Sequence, residues 1–312
     1  MKLFALTGVS GFVAPRHLHA IKSTGNELVA AMDISDSAGV LDSYFPSADF
    51  FTDPGEFKHF IEQCNKKRSP VDYVSVCTPN HLHEENIRTA VLSGADVICE
   101  KPLVLDPDDA QKLKHLENSS GKKIFNILQL RHHPGILDLK KKTEHESTSH
   151  KYEIDLAYVT PRGKWYHNSW KGDPARSGGI ATNIGIHFFD MLIWIFGSVQ
   201  NCIVQMHNAE RSAGFLELEK ARVRWFLSIN ETDLPDLNNR SAVRSMVVNG
   251  HHVDFSSGFT ELHKNNYSSI MAGQGCRIDD VMPSIELAHT IRFQEPVGKK
   301  GEWHPMANLF IE

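Results

Sequence analysis

The chain has 312 residues, 41% of them hydrophobic, enough for a substantial core and more readily two domains than one. A net charge of −5 without a long basic block argues against nucleic acid as a partner. No apolar run approaches bilayer length, the amino terminus turns to glycine too early for a signal peptide, and the five cysteines are scattered without a CxxC pair; a cytoplasmic protein with reduced thiols, and no membrane partner, is expected. The eighteen histidines lack HExxH or Cys/His ligand spacing, so no metal site is expected.

In chain order, Lys2 to Leu6 reads as an apolar strand. The turn Thr7-Gly8-Val9-Ser10-Gly11 and a helical stretch with Pro15 in its first turn follow. Such a turn lets backbone N–H groups approach a pyrophosphate at a helix N-terminus. Against GxGxxG it is imperfect: Ser10 replaces the middle glycine, and Gly11 and Ala14 fall one residue off. The next strand, Leu28 to Met32, ends at Asp33, spaced to accept hydrogen bonds from an adenosine ribose. That carboxylate would repel a 2′-phosphate, which favours NAD over NADP. The plainer alternative is that Asp33 caps the turn at Ser35-Asp36.

Strands at Ala48–Phe51, Tyr73–Cys77, Val97–Cys99 and Lys123–Leu128 then alternate with helices at Glu56–Lys66, His81–Ser93 and Asp106–Ser119. Repeated βα units imply a parallel sheet with right-handed crossovers. Cys77-Thr78-Pro79-Asn80-His81-Leu82-His83 and Glu100-Lys101-Pro102 both follow strand ends, where open α/β sheets bind ligands. His81 and His83 can equally be helix-cap residues, and Glu100-Lys101 a solvated turn.

With those motifs at matching intervals, the chain resembles the Gfo/Idh/MocA oxidoreductases. The resemblance implies a Rossmann-type doubly wound parallel sheet plus a C-terminal α+β domain with a large, mostly antiparallel sheet. It assigns NAD contacts to Gly8, Ser10, Gly11, Phe12, Asp33, Thr78, Pro79, Asn80, His83, Glu100 and Lys101, with Lys101 near the nicotinamide and the reacting hydroxyl.

After Gln129-Leu130-Arg131-His132-His133-Pro134 the alternation stops. The domain boundary is placed there, with residues 1–128 as the dinucleotide-binding domain and 129–312 as the domain for substrate binding and oligomerisation. A polar segment, Thr143 to His150, leads to strand-like stretches at Tyr152–Val159, Asn201–His207, Phe215–Leu218, Arg222–Ile229 and Ser245–Val248. Between them, Pro161 to Asp173 combines cations with flat rings, which suits a nucleotide diphosphate sugar. A tryptophan-anchored surface loop is the rival reading. Arg162, Lys164 and Tyr166, with Arg131, are the candidate anchors.

From Ala181 to Phe196 a buried helix is expected, with Asn183 and His187 four apart on one face. A lone histidine on an apolar face is usually a satisfied core residue, but the Gly-Gly turn and the Gly-x-His that surround it match the family pattern. The family's usual aspartate is here Asn183, which takes no proton and is left to orient substrate.

The loop, this helix and Pro283 to Ala288 look like the WlbA/WbpB group, UDP-N-acetyl-D-glucosaminuronic acid 3-dehydrogenases. By resemblance these are NAD-dependent, commonly homotetrameric and cytosolic, and make diacetamido-uronic acid sugars for lipopolysaccharide O-antigen. Some use 2-oxoglutarate to reoxidise bound NADH. Oxidation of the sugar C3 alcohol is therefore expected, with Lys101 as first choice of base and His187 as the second choice or relay partner. An ordinary lysine pKa of about 10.4 needs burial and a nearby positive charge to bring it down. Two other readings are a dehydrogenase of a free sugar or cyclitol and a non-catalytic sensor of dinucleotide and sugar.

Overall fold

Short runs of buried aliphatic residues flanked by turn formers make the first sheet. The computed structural model describes residues 1–67, 69–145, 150–235, 242–255 and 258–311, so 146–149 of the polar segment noted above lie outside the described residues. The chain divides into two units, Met1–Gln129 with Thr260–Met282, and Leu130–Phe259 with Pro283–Glu312. Thr260–Met282 returns to the first unit, whereas a single boundary after residue 128 leaves it in the second.

In the first unit, β1 (Leu3–Thr7), β2 (Glu27–Met32), β3 (Asp49–Phe51), β4 (Tyr73–Val76), β5 (Asp96–Cys99) and β6 (Ile124–Asn126) form a parallel sheet of order β3-β2-β1-β4-β5-β6. Strand order reverses between β1 and β4, the point at which such sheets bind ligands beyond their carboxyl ends. The helices are α1 (Ala14–Ser23), α2 (Leu41–Tyr44), α3 (Pro54–Lys66), α4 (His83–Leu92) and α5 (Pro107–Ser120). Helix α3 starts where Asp53 accepts from the Glu56 N–H at 2.9 Å, and α5 ends at Gly121 in the left-handed region. The core joins Phe4, Leu6, Leu18 and Ile21 to Tyr267 and Ile270 of a later helix.

The second unit contains β7 (Tyr152–Val159), β8 (Val199–His207), β9 (Arg211–Leu218), β10 (Ala221–Ser228), β11 (Val243–Val248) and β12 (His251–His252), in the order β12-β11-β7-β10-β9-β8. Among the described residues of this unit, β7 and β10 alone pair in parallel and the other pairs are antiparallel. The expected fold class is borne out in both sheets. The later helices are α6 (Pro134–His145), α7 (Lys164–His167), α8 (Pro174–Ser177), α9 (Ile186–Phe196), α10 (Leu262–Met271) and α11 (Ile278–Phe293).

Helix α9 packs its apolar side on the sheet, with Phe189 edge-on to Trp225 at 5.3 Å. The helical run Pro174–Phe196 is, contrary to expectation, long and apolar enough to cross a bilayer by length and composition. Its apolar window is 78% buried inside the protein, as in the core helix of a globular unit.

Candidate active site

At the first strand-to-helix turn, Gly8 has φ +81, and a Cβ there would lie 2.6 Å from the Cys77 carbonyl carbon and 2.7 Å from the Thr78 nitrogen. Only glycine lets the two loops approach this closely. Asp33 sits beside the turn. Its carboxylate accepts from the Ser10 N–H and the Ser35 N–H, each at 3.0 Å, so it both caps the following turn and stays at the sheet edge. Phe12 and Ile34 flank this position and are 82% and 83% exposed, unusual for apolar side chains and suited to a flat ring system.

The Thr7 and Thr78 hydroxyls are buried without a hydrogen-bond partner among the described residues. A glycine cradle, an acid at the second strand end and orphaned hydroxyls between them fit a dinucleotide. Asn80 is buried, whereas Pro79 is partly exposed.

Two of the assigned cofactor contacts are instead committed inside the unit. His83 is buried, its Nδ1 2.7 Å from the Pro102 carbonyl oxygen and its Nε2 2.9 Å from the Thr78 carbonyl oxygen. It thereby ties together the loops after β4 and β5. Burial holds its pKa below the ordinary histidine value, against the pull of the two carbonyls.

Glu100 is 5% exposed, and its Oε1 lies 3.0 Å from His17 Nε2 and 2.8 Å from His263 Nε2. Burial alone pushes this carboxyl up, but the histidine contacts outweigh it and hold Glu100 well below the usual carboxylate range. The donor atoms of His17, Glu100 and His263 lie within 4.8 Å of one another. Such a triad can surround an ion, and because its members stand far apart in sequence, ligand spacing could not reveal it. The two short nitrogen-to-oxygen contacts account for it as a hydrogen-bonded set.

Lys101 is half-buried, joined to Pro102 by a cis peptide bond, and its backbone N–H donates to Glu100 Oε2 at 3.2 Å.

In the second unit, Arg131 donates through Nε and Nη2 to the two oxygens of Asp190, at 2.9 and 2.7 Å, and lies over Trp194 at 5.5 Å. Asp190 is three residues beyond His187 on α9. Ala181–Gly185 is a π-helical turn that feeds α9, a wider winding often found at functional sites. Buried Asn183 donates through Nδ2 to the Tyr166 hydroxyl at 2.9 Å, so two substrate candidates from different segments meet. His187 is partly exposed. Arg162 is half-buried, Lys164 exposed, and Trp165 56% exposed.

Lys171, not among the candidate anchors named above, lies 5.3 Å over the Trp165 ring and 5.6 Å over that of Trp170. Burial, then the Arg162 charge, lower its pKa. Its spacing from the tryptophans was the only available signal. His17, His263 and Tyr267 gave none.

Residues 2–127 match the Gfo/Idh/MocA model described as "Oxidoreductase family, NAD-binding Rossmann fold", and residues 150–300 match that described as "Oxidoreductase family, C-terminal alpha/beta domain". The chain belongs to the Gfo/Idh/MocA oxidoreductase family. Residues 2–127 of this family member are its NAD-binding domain, and NAD is the cofactor.

Among solved structures, the WlbA (WbpB) dehydrogenase from Thermus thermophilus in complex with NAD and alpha-ketoglutarate is 45% identical, with TM-score 0.94, covering 98% of this chain and 99% of that one. The same enzyme in complex with NAD and UDP-GlcNAcA is 44% identical, with TM-score 0.93 and the same coverage. The D-glucoside 3-dehydrogenase of Escherichia coli is 27% identical over 143 residues, 45% of this chain and 40% of that protein. The chain thus spans less than half the length of that curated relative.

Proposed function

We propose that this oxidoreductase oxidises the C3 hydroxyl of UDP-N-acetyl-D-glucosaminuronic acid to the 3-keto sugar. The observation that carries this reading is the 44% identity, over 98% of the chain, to a dehydrogenase crystallised with NAD and UDP-GlcNAcA. Bound NAD supplies the hydride acceptor.

Lys101 takes the hydroxyl proton as hydride leaves the sugar carbon, so that one C–H and one O–H bond break and one C=O bond forms. His187 is the second choice for that task. Asn183, held by the Tyr166 hydroxyl, orients the sugar, since an amide offers hydrogen bonds but no proton acceptor at this pH. Arg162, Lys164 and Lys171 hold the diphosphate, and Trp165 offers an exposed ring to the uracil. Arg131 is here a positioning residue: with Nε and Nη2 engaged by Asp190, it sets the α9 helix that carries His187.

In the same reading 2-oxoglutarate is the recycling oxidant, reduced to 2-hydroxyglutarate as NADH is reoxidised in place. The enzyme is a cytoplasmic homotetramer serving O-antigen sugar synthesis.

The test is to incubate purified protein with the UDP-sugar, with and without 2-oxoglutarate, while following NADH absorbance and 2-hydroxyglutarate. Keto-sugar formation with stoichiometric 2-hydroxyglutarate is expected. Turnover of myo-inositol or a free glucoside in place of the UDP-sugar would overturn the substrate assignment. Lys101→Ala should bind NAD normally and lose turnover; unchanged turnover would sink Lys101 as the base.

A further inference from the structure

The polarity of the buried chain behind the Glu-Lys-Pro motif is set from one end. A carboxylate oxygen only accepts, so His17 and His263 must each present Nε2–H to Glu100 Oε1. A neutral His17 then has an accepting Nδ1, 2.7 Å from the Tyr267 hydroxyl, which must donate to it. The Tyr267 oxygen in turn accepts from the Ser75 hydroxyl at 2.7 Å. Every member lies in the first unit and is buried.

The backbone at the motif is pinned separately. Glu100 N–H donates to the Val76 carbonyl at 3.0 Å, and Asn126 Nδ2 donates to the Cys99 and Glu100 carbonyls at 3.0 and 3.1 Å. With one carboxylate oxygen held by the two imidazoles, the other is left to receive the Lys101 backbone N–H. We propose that His17, His263 and Tyr267 are positioning residues for Lys101: they fix the orientation of the Glu100 carboxylate, which in turn fixes the backbone from which Lys101 projects. Their role in turnover rests on the reading of Lys101 as the base; their role in holding the Lys101 amide does not.

The two parts are tested side by side in the full chain. His263→Leu removes one donor, His263→Gln restores an N–H, and Tyr267→Phe removes the hydroxyl that donates to His17 Nδ1 and holds that ring against Glu100, while keeping the ring 5.8 Å from Phe4. Amide hydrogen exchange at Lys101, NAD affinity, kcat and KM are read on each.

In His263→Leu and Tyr267→Phe, Lys101 amide exchange should rise about tenfold or more and kcat fall about tenfold, with KM and NAD affinity within about threefold of the parent. His263→Gln should recover most of both losses. Unchanged Lys101 exchange in Tyr267→Phe overturns the proposal, and that variant decides the matter if His263→Leu does not fold. Loss of kcat in step with NAD affinity and thermal stability, without recovery in His263→Gln, also overturns it. Raised exchange with full turnover, together with full turnover in Lys101→Ala, leaves the positioning role intact and removes the base assignment instead.

Discussion

Arg131→Leu separates two roles for one side chain. The guanidinium and its partner are 11% and 3% exposed, and two short parallel contacts join them. Removing one member of a buried ion pair leaves the other charge uncompensated and costs about 3–5 kcal/mol. The stacking on Trp194 adds about 0.5–1 kcal/mol.

Arg131→Leu should therefore destabilise the protein by about 3–5 kcal/mol in urea unfolding followed by tryptophan fluorescence, and Asp190→Leu by a similar amount. The double variant exposes no unpaired charge, so it should cost less than the sum of the two, with a coupling of about 2–3 kcal/mol. KM for the UDP-sugar should change little in whatever fraction stays folded. A loss of stability below about 1 kcal/mol, with KM raised tenfold or more, would refute the argument and return Arg131 to the substrate.

Gly8→Ala should cost about 1–2 kcal/mol for the left-handed backbone alone and weaken NAD binding at least tenfold, because the added carbon meets the backbone at Cys77 and Thr78; calorimetric titration with NAD measures it. Trp165→Ala should raise KM for the UDP-sugar by roughly tenfold, about 1.4 kcal/mol of lost stacking, while any weak turnover of the sugar lacking UDP stays constant. Burial, with Arg224 adding to it against Asp155, brings the His304 pKa down to about 4. A histidine depressed in the folded state stabilises above its unfolded value of about 6.5, and that contribution is lost as pH falls from there toward 4. His304→Gln should flatten the fall in stability between pH 7 and 5, and identical slopes in parent and variant would count against it.

Much of the fold was legible because its signals are local. Buried strands bounded by Gly8, Asp33 and Pro102 announce a parallel sheet whatever lies elsewhere, and β9 to β11 carry the longer runs of a mostly antiparallel one. The roles of individual side chains were less so. His83 and Glu100 stand in a cofactor-binding motif, yet their hydrogen bonds run inward to carbonyls and histidines, because a buried polar group takes the partner the fold brings to it. Asp190 lies 59 positions from Arg131, and His263 lies 163 from Glu100. No periodicity spans such intervals. The π turn at Ala181–Gly185 was likewise hidden: Gly185 sits where a Cβ would meet Leu227 and Phe189 at 2.7 Å, so tertiary packing accompanies the wider winding.

The late return of α10 bears on how the protein is made. When residue 129 leaves the ribosome, every strand of the first sheet exists, but Tyr267 and His263 are still untranslated. At about 5–20 residues per second, the nascent sheet waits roughly 8–30 s before residue 282 completes its unit. During that interval Glu100 and His17 have a buried acid–base contact with half its partners missing, and α1 presents to water the surface that α10 will cover. A fragment ending at residue 129 reproduces that waiting state indefinitely, so it should be a poor substitute for the NAD-binding unit and a natural client for chaperones.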